Sequence, residues 1–189
     1  MRRMLTEPGD SSLSRMVGLV SRTLVEIERV RPDEYAAAGA VTRAAYEEFA
    51  PQGSDGWPEY RDRIGDIAGR AARTVVLVAR RDGAIVASAT VELDERIEPE
   101  RDPVAADEAH IRMLGVGPRH RRRGIGRALV EACIDVARTH GRRRVTLETT
   151  EEMVAAQALY ASMGFRSLGS REVMPSLCFR DFELVLEDR

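Results

Sequence analysis

The chain has 189 residues, of which 43% are hydrophobic, and its formal net charge is −2 with a pI near 6.0. This length and apolar content predict one domain with a full hydrophobic core. The acidic total argues against a general nucleic-acid-binding protein, whose domain is usually strongly basic. All 29 basic residues are arginine, so chemistry that depends on a lysine of this chain is excluded.

The sequence carries no targeting or membrane signal. Its first residues, MRRMLTEPGD, lead into no apolar signal core, and no apolar run approaches the ~20 residues of a membrane span. Two cysteines, Cys133 and Cys178, are too few for a disulfide framework and are typical of thiols in a reducing compartment. We therefore expect a cytoplasmic protein without a membrane partner.

The first half of the chain predicts a leader, a strand, two helices and a hairpin. Residues 1–20 lack periodicity and are expected to be a mobile leader to a single domain over 21–189. A strand over 23–30 precedes a helix over 33–49, with Asp33 as its cap. Residues 59–72 place their apolar side chains on one helical face, and two β-branched runs flank Asp82-Gly83, which predicts a tight hairpin turn.

The second half continues as strands alternating with helices. A polar loop leads to a strand over 110–117, which Gly115 interrupts, and a helix follows from Gly124 to Gly141. After a strand over 144–149, Thr149 and Glu152 form a capping-box pattern for a helix that ends at Gly164, and two more strands complete the chain. The order β-α-α-β-β-β-α-β-α-β-β predicts an α/β domain with a mixed sheet.

A cluster of arginines lies where the helix after Gly124 begins, and its members are Arg119, Arg121, Arg122, Arg123 and Arg127. A helix N-terminus carries partial positive charge, so basic residues there are unfavourable unless an anion is bound. Gly124 and Gly126 allow backbone N–H groups to approach a ligand closely, and the unpaired N–H groups of the first turn favour phosphate.

Two other interpretations of this cluster stay open at this point. The arginines could simply cover a solvated turn. A dinucleotide fold is disfavoured because Leu129 replaces the third glycine of GxGxxG and seven residues, 117–123, separate the strand from the glycines.

Two motifs make the phosphate interpretation specific. The pattern L-x-V-x-P followed by R-x-x-G-x-G, at Leu114 to Gly126, resembles the acetyl-coenzyme A motif of the GNAT N-acetyltransferases. A second pattern, A-x-x-L-Y-x-x-x-G-F from Ala156 to Phe165, resembles another motif of the same superfamily. The resemblance covers about residues 23–187. It implies a mixed, mostly antiparallel central sheet with splayed central strands and flanking helices.

The resemblance also implies a cofactor site for acetyl-CoA as co-substrate. The pyrophosphate would lie on the backbone and arginines of one loop, at Arg121, Arg122, Arg123, Gly124, Ile125, Gly126 and Arg127. The pantetheine arm would pair with the central strand at Leu114, Gly115 and Val116, and a glycine at position 115 suits a bulge or splay there.

Acetyl transfer to an amine requires a base for the amine and an acid for the leaving thiolate. The resemblance assigns the acid to Tyr160, which could alternatively be only a packing residue. His110 lies where many relatives carry a glutamate and is the candidate base or water relay, with Glu108 and Arg112 as neighbours. Met153 departs from the asparagine that relatives often carry. No spacing of His and Cys predicts a metal site.

The acceptor is expected across the splayed strands, near the first helices. Trp57 and Tyr60, together with Tyr46, could line its site, and nearby acids could attract a cationic amine: Glu47, Glu48, Asp55 and Glu59. We therefore predict an N-acetyltransferase acting by direct transfer on a small-molecule amine, an amino acid or a peptide N-terminus. The alternatives are an acyl-CoA sensor of the same fold and, less favoured, a nucleic-acid module. A homodimer is one open option for the assembly.

Overall fold

A computed structural model describes residues 16–20, 23–50, 56–94, 103–174 and 177–187. The strands in these ranges are β1 (Met16–Val20), β2 (Thr23–Arg29), β3 (Val75–Arg81), β4 (Ala84–Glu92), β5 (Glu108–Val116), β6 (Arg144–Thr150), β7 (Arg166–Met174) and β8 (Leu177–Val185). The α-helices are α1 (Tyr35–Tyr46), α2 (Trp57–Gly65), α3 (Ile67–Ala71), α4 (Ile125–Thr139) and α5 (Val154–Ser162).

The strands form one sheet in the order β1-β2-β3-β4-β5-β6-β8-β7. Every neighbouring pair is antiparallel except β5 and β6, which are parallel because α4 carries the chain back across the sheet. The predicted mixed and mostly antiparallel sheet is confirmed. Such a sheet is incompatible with the doubly wound parallel sheet of a dinucleotide-binding fold.

Helices cover both faces of the central strands. Ala87 and Ala89 of β4 belong to the core cluster that α4 completes. Ser88, between them, shares a 2.6 Å hydrogen bond with the hydroxyl of Thr42 on α1. Successive side chains of a strand point to opposite faces, so α1 and α4 lie on opposite sides of β4. This explains why β4 is buried on both faces from Val86 to Glu92, although Ser88, Thr90 and Glu92 on the α1 side are polar.

Local sequence signals end several strands and helices at the predicted residues. Asp82 and Gly83 both have positive φ, 52° and 77°, as a two-residue primed turn between β3 and β4 requires. Gly141, with φ of 68°, follows α4, where a left-handed residue commonly ends a helix.

Other expectations about where helices and strands begin are wrong. The predicted leader over 1–20 extends too far, since Met16–Val20 pair with β2, while residues 1–15 lie outside the described ranges. The predicted cap at Asp33 is replaced by Glu34, which makes no side-chain cap bond. Thr149 does not cap α5 because β6 runs on to Thr150, and the helix begins after Met153.

The predicted helix over 59–72 is interrupted at Asp66. The chain turns there, with ψ of 80°, and the Asp66 carboxylate accepts a 2.9 Å hydrogen bond from the Gly69 N–H. A side chain that can satisfy backbone N–H groups in this way begins a new helix. The interruption sets α3 against the sheet, with Ile67 and Arg70 buried.

Candidate functional site

The parallel strands β5 and β6 diverge part-way along their length. Their register runs from Glu108–Arg144 to Ile111–Leu147 and then stops, although β5 continues to Val116 and β6 to Thr150. Beyond Ile111, the edge of β5 that faces β6 has no strand partner among the described residues. The opening leaves backbone N–H and C=O groups available to an extended ligand.

A β-bulge lies directly at this opening. Ser88 pairs with Gly115 and Thr90 with Arg112, so one residue of β4 opposes two residues of β5. The unusual backbone conformation is at Met113, whose φ is +50°, and the strand continues through Gly115. The predicted break at Gly115 is therefore displaced by two residues toward the N-terminus.

Gly115 is required by the packing of α1. A Cβ on this residue would lie 2.8 Å from the Ala45 Cβ and 3.5 Å from Cε2 of Tyr46. The close approach allows the Tyr46 hydroxyl to donate a 3.3 Å hydrogen bond to the carbonyl oxygen of Leu114, which lies in the bulge. α1 therefore holds the bulge from the side opposite α4.

The loop after β5 presents the N-terminus of α4 to the same opening. Arg122 and Gly124 have φ of 59° and 79°, and Gly124 is the N-cap without any side-chain cap. The N–H groups of the first turn are thus left for a ligand or water. A Cβ on Gly126 would lie 3.3 Å from Cδ2 of Leu159 and 3.7 Å from Cγ2 of Val116, so this turn packs closely against α5 and β5.

The arginines of the loop divide into two groups. Arg121 is bound within the protein: Nε donates to the Val116 carbonyl at 3.1 Å, one Nη donates to the Ala45 carbonyl at 2.8 Å, and the other contacts Glu48. These bonds fasten the loop to β5 and to the end of α1. A phosphate contact from the Arg121 side chain, as the sequence suggested, would compete with all three bonds.

The remaining loop arginines are placed differently. Arg122 and Arg123 are exposed, and neither forms an ion pair or hydrogen bond with the residues in the described ranges. Arg127 lies in the first turn of α4 and donates a 2.7 Å hydrogen bond to Oγ of Ser162 on α5. Exposed guanidinium groups beside a helix N-terminus are suited to phosphate.

Tyr160 is buried below α4, only 6% exposed, with its ring 5.8 Å from each of the rings of Phe165 and Phe182. Burial, and to a lesser extent the Cys133 thiol, raises the pKa of Tyr160 above its ordinary range. The hydroxyl therefore keeps its proton at neutral pH. No hydrogen bond joins it to another residue of the described ranges.

His110 lies at the start of the opening and is held by two polar neighbours. Its Nδ1 is 2.7 Å from Oγ1 of Thr146, its partner on β6, and the Thr146 hydroxyl donates to Oε1 of Glu108 at 2.6 Å. Glu108 also accepts a 3.2 Å bond from Arg144. The sequence pointed to His110 and Glu108 but gave no sign of Thr146, since its alignment with His110 depends on the register of β5 and β6.

On the α1 side of the sheet, the predicted acceptor residues Trp57 and Tyr60 lie on α2 with their rings 5.7 Å apart. Burial, followed by the neighbouring Tyr60 and Tyr160, raises the pKa of Tyr46. Tyr46 is therefore within electrostatic range of both the predicted acceptor residues and the predicted acid.

The acids expected to attract a cationic amine are partly neutralised. Glu47 pairs with Arg61 at 3.2 Å and Glu48 pairs with Arg121. Asp55 lies outside the described residues. Sequence reasoning also missed Arg70, a buried cation on α3 whose only sequence signal is its position three residues after the buried Ile67.

Comparison with known proteins identifies the family. A sequence model of the Acetyltransferase (GNAT) family matches residues 42–165, which include β5, the arginine loop, α4 and α5. The chain belongs to the GNAT acetyltransferase family. The resemblance of its two motifs to this superfamily is thereby confirmed.

Individual GNAT relatives match shorter segments. N-acetyltransferase family 8 member 3 of Rattus norvegicus is 42% identical over 72 residues, which are 38% of this chain and 32% of that protein. The [ribosomal protein bS18]-alanine N-acetyltransferase of Escherichia coli is 42% identical over 62 residues, 33% of this chain and 42% of that protein. The matches thus span less than half the length of these curated GNAT relatives.

Solved GNAT structures share the fold over most of the chain. The ribosomal-protein-S18-alanine N-acetyltransferase of Escherichia coli superposes with a TM-score of 0.65 at 23% identity, covering 87% of this chain and 96% of that one. An acetyltransferase of Salmonella typhimurium, described as bound to its cofactor acetyl-CoA, superposes with a TM-score of 0.63 at 21% identity, covering 87% and 95%.

Two further findings concern the described part of the chain only. None of its helices is both long and apolar enough to cross a membrane. It also contains no group of three or more His, Cys, Asp or Glu side chains placed to hold a metal ion.

Proposed function

We propose that this GNAT protein is an N-acetyltransferase that moves the acetyl group of acetyl-CoA directly to a primary amine in a ternary complex. One observation carries the proposal: the edge of β5 that opens beyond Ile111 leads directly into an arginine loop and an uncapped helix N-terminus. A long ligand with an extended amide arm and a phosphate end fits this combination, since one part pairs as a strand and the other binds N–H groups.

The residues present fit the phosphate end of acetyl-CoA. The left-handed N-cap Gly124 gives the first turn of α4 no side-chain cap, and the exposed Arg122 and Arg123 supply positive charge beside it. Arg127 lies in the same turn. We assign to Arg121 a backbone contact and the task of fastening the loop, because its side chain is bonded elsewhere.

The pantetheine arm would pair with β5 at Leu114, Gly115 and Val116. Bound acetyl-CoA supplies the thioester whose acetyl group is transferred. A backbone N–H of β5 near the bulge would bind the thioester oxygen, and such fixed donors stabilise the charge that develops there.

His110 is the proposed base, acting directly or through a water. The Thr146 hydroxyl has one proton, which goes to the Glu108 carboxylate, so its oxygen accepts from His110 and fixes the proton of the neutral imidazole on Nδ1. Nε2 then carries the lone pair. This arrangement resembles the orientation of a base by a third group in hydrolase triads.

Tyr160 is the proposed acid for the departing thiolate. Its raised pKa keeps the hydroxyl protonated. The preceding residue, Leu159, lies beside the same Gly126 position as Val116 of β5, which supports a location of α5 near the end of that strand. The aromatic contacts with Phe165 and Phe182 hold the ring in one orientation. An acid that is protonated and rigidly held is suited to the leaving group.

We place this activity in the cytoplasm and leave the assembly, monomer or homodimer, to measurement. Cys133 and Cys178 are both free thiols, as a reducing compartment would keep them. One relative acts, by its name, on the alanine terminus of a ribosomal protein. A peptide N-terminus is accordingly one acceptor class beside small amines and amino acids.

A thiol-release assay tests the proposal. The protein is incubated with acetyl-CoA and a panel of amino acids, polyamines, aminoglycosides and short peptides, and free CoA is measured. We expect release that depends on at least one amine and a mass increase of one acetyl group on it. Tight acetyl-CoA binding without release on any amine would instead support the acyl-CoA sensor.

A further inference from the structure

Arg70 is a buried cation on the acceptor side of the sheet. Its side chain, on α3, is only 2% exposed, and it forms no ion pair with any acid in the described ranges. Its Nε donates to Oγ1 of Thr90 at 3.2 Å, and one Nη donates to the Arg63 carbonyl at 2.8 Å. The Asp66 carboxylate favours the charged form of Arg70 electrostatically without forming an ion pair with it. Burial of a cation that makes no ion pair remains costly.

A second buried arginine lies on the same face. Arg112 of β5 is directly opposite Thr90 of β4, the residue that accepts from Arg70, and side chains of directly opposed residues share a face of the sheet. Burial lowers the pKa of Arg70 to about 10; Asp66 and Tyr46 oppose this shift and Arg112 adds to it. Two cations therefore lie near Thr90, and the buried acid Glu92, two residues further along β4, lies on the same face of the sheet.

One unpaired hydrogen-bond donor lies on the neighbouring helix α2. Nε1 of Trp57 is buried and has no hydrogen-bond partner among the described residues. The Trp57 ring packs on Tyr60, and Tyr60 and Tyr46 both contribute to the electrostatics of Arg70. This part of the site is therefore rich in donors and aromatic surface, whereas the acids at its rim, Glu47 and Glu48, are paired.

Arg70 is also connected to the reaction centre through short steps. Thr90 lies on β4 beside the bulge of β5, and the Tyr46 hydroxyl near Arg70 donates to the Leu114 carbonyl in that bulge. A ligand anchored at Arg70 would thus lie on the acceptor side of the strand that is expected to carry the thioester. A planar guanidinium is suited to a carboxylate because it can donate two parallel hydrogen bonds.

We propose that the acceptor amine carries a carboxylate and that Arg70 binds it, which makes the preferred acceptor an amino acid or a similar amino-carboxylate. This inference rests on the proposed function, because it concerns the acceptor side of the same site. The carboxylate supplies the ion-pair partner that Arg70 lacks among the described residues, and the anchoring directs the amine toward β5. It replaces the expectation of steering by acidic residues.

Matched acceptors test the preference without any mutation. Each of L-phenylalanine, L-methionine and L-arginine is compared with its carboxamide and with the corresponding decarboxylated amine, by the kcat/KM for CoA release. We expect the best acceptor to be a free acid, favoured over its carboxamide by at least about 10-fold, as for a site built around one polar group. Equal or better use of the carboxamides and amines overturns the inference.

Variants of Arg70 test whether this residue causes the preference for free acids. In Arg70→Gln, we expect the ratio of kcat/KM for the free acid to kcat/KM for the carboxamide to fall to about 1, mainly because kcat/KM for the acid decreases. Arg73→Gln, which removes an exposed charge two residues after α3 ends, is the matched control and is expected to keep the wild-type ratio. An equal loss for acid and carboxamide in Arg70→Gln would mean a structural role and would contradict the assignment.

Failure of the proposed function and failure of this inference give different results. If no amine releases CoA, the proposed function fails, but the carboxylate site is still tested by calorimetry with 3-phenylpropionate on protein saturated with CoA. We expect binding to the wild type that weakens at least about 10-fold in Arg70→Gln, or in Arg70→Lys if the first variant does not fold. Absence of binding to the wild type overturns the inference.

Discussion

Nδ1 of His110 lies 2.7 Å from Oγ1 of Thr146, whose hydroxyl donates to Glu108 at 2.6 Å. The chain of bonds has one consistent direction, because an ion-paired carboxylate only accepts and a hydroxyl has one proton to give. In the neutral imidazole of His110, this direction places the proton on Nδ1 and the lone pair on Nε2.

Thr146→Val should release this tautomer. Valine has nearly the same shape but accepts no hydrogen bond, so the Nδ1–H form of His110 loses its support. We expect the 15N shifts of the His110 ring to change toward the Nε2–H form. A general base contributes about 10² to 10⁴ in rate, so we expect kcat/KM to fall at least about 10-fold.

Thr146→Ser is the control for this prediction, because serine retains the hydroxyl. We expect it to keep both the tautomer and most of the activity. Unchanged ring shifts in Thr146→Val would contradict the orientation of His110. Changed shifts with full activity would remove His110 as the base.

Gly126→Val should weaken acetyl-CoA binding by more than about 10-fold, because side-chain atoms would cover the N–H groups of the first turn of α4. A Cβ at this position already meets Leu159 at 3.3 Å, so some loss of stability is expected as well. Gly141→Ala separates the two effects, since Gly141 has positive φ, which strains a side chain there, but has open space around it and lies at the far end of α4. Calorimetry should find the Gly141→Ala affinity unchanged.

Substitutions of Arg121 should affect mainly stability, whereas substitutions of its neighbours Arg122 and Arg123 should affect mainly acetyl-CoA affinity. Replacing Arg122 and Arg123 together with Gln is expected to leave the thermal midpoint unchanged and to weaken acetyl-CoA binding, with a smaller dependence of affinity on salt. Arg121→Gln removes bonds to Val116 and Ala45 and is expected to lower stability by about 1–3 kcal/mol. A stable Arg121→Gln with a large loss of affinity would return Arg121 to the phosphate site.

Tyr160→Phe should reduce turnover by about 10² or more while acetyl-CoA affinity stays within a few-fold. Phenylalanine keeps the ring contacts with Phe165 and Phe182, so the variant is expected to fold. Steady-state kinetics and calorimetry on the same preparation check the two quantities. Wild-type turnover in Tyr160→Phe would make Tyr160 a packing residue only.

The raised pKa of Tyr160 also predicts that the protein loses stability as the pH rises at high pH. Its folded value lies above the unfolded value near 10, so its contribution is fully present below about pH 10 and is lost as the pH rises toward the folded value. Tyr160→Phe removes the titrating group and should make unfolding above about pH 10 less steep in pH. An identical pH slope in both proteins would contradict the burial of the hydroxyl.

Local patterns of the sequence determined much of this protein. The Asp82-Gly83 turn, the amphipathic α4 and the phosphate-type loop before it depend on neighbouring residues, because turn geometry, helix faces and N-terminal N–H groups are local properties. The motif around Gly124 and Gly126 was for the same reason enough to indicate the family.

Tertiary structure decided which side chains meet. The Thr146 hydroxyl reaches His110 only through the β5–β6 register, and Arg121 is drawn away from the phosphate side by α1. The bulge lies at Met113 and not at Gly115, and the glycine instead allows the close approach of α1. In the sequence, Arg70 is one of 29 arginines. Only its burial without an ion-pair partner distinguishes it, and burial is a property of the packed sheet and helices.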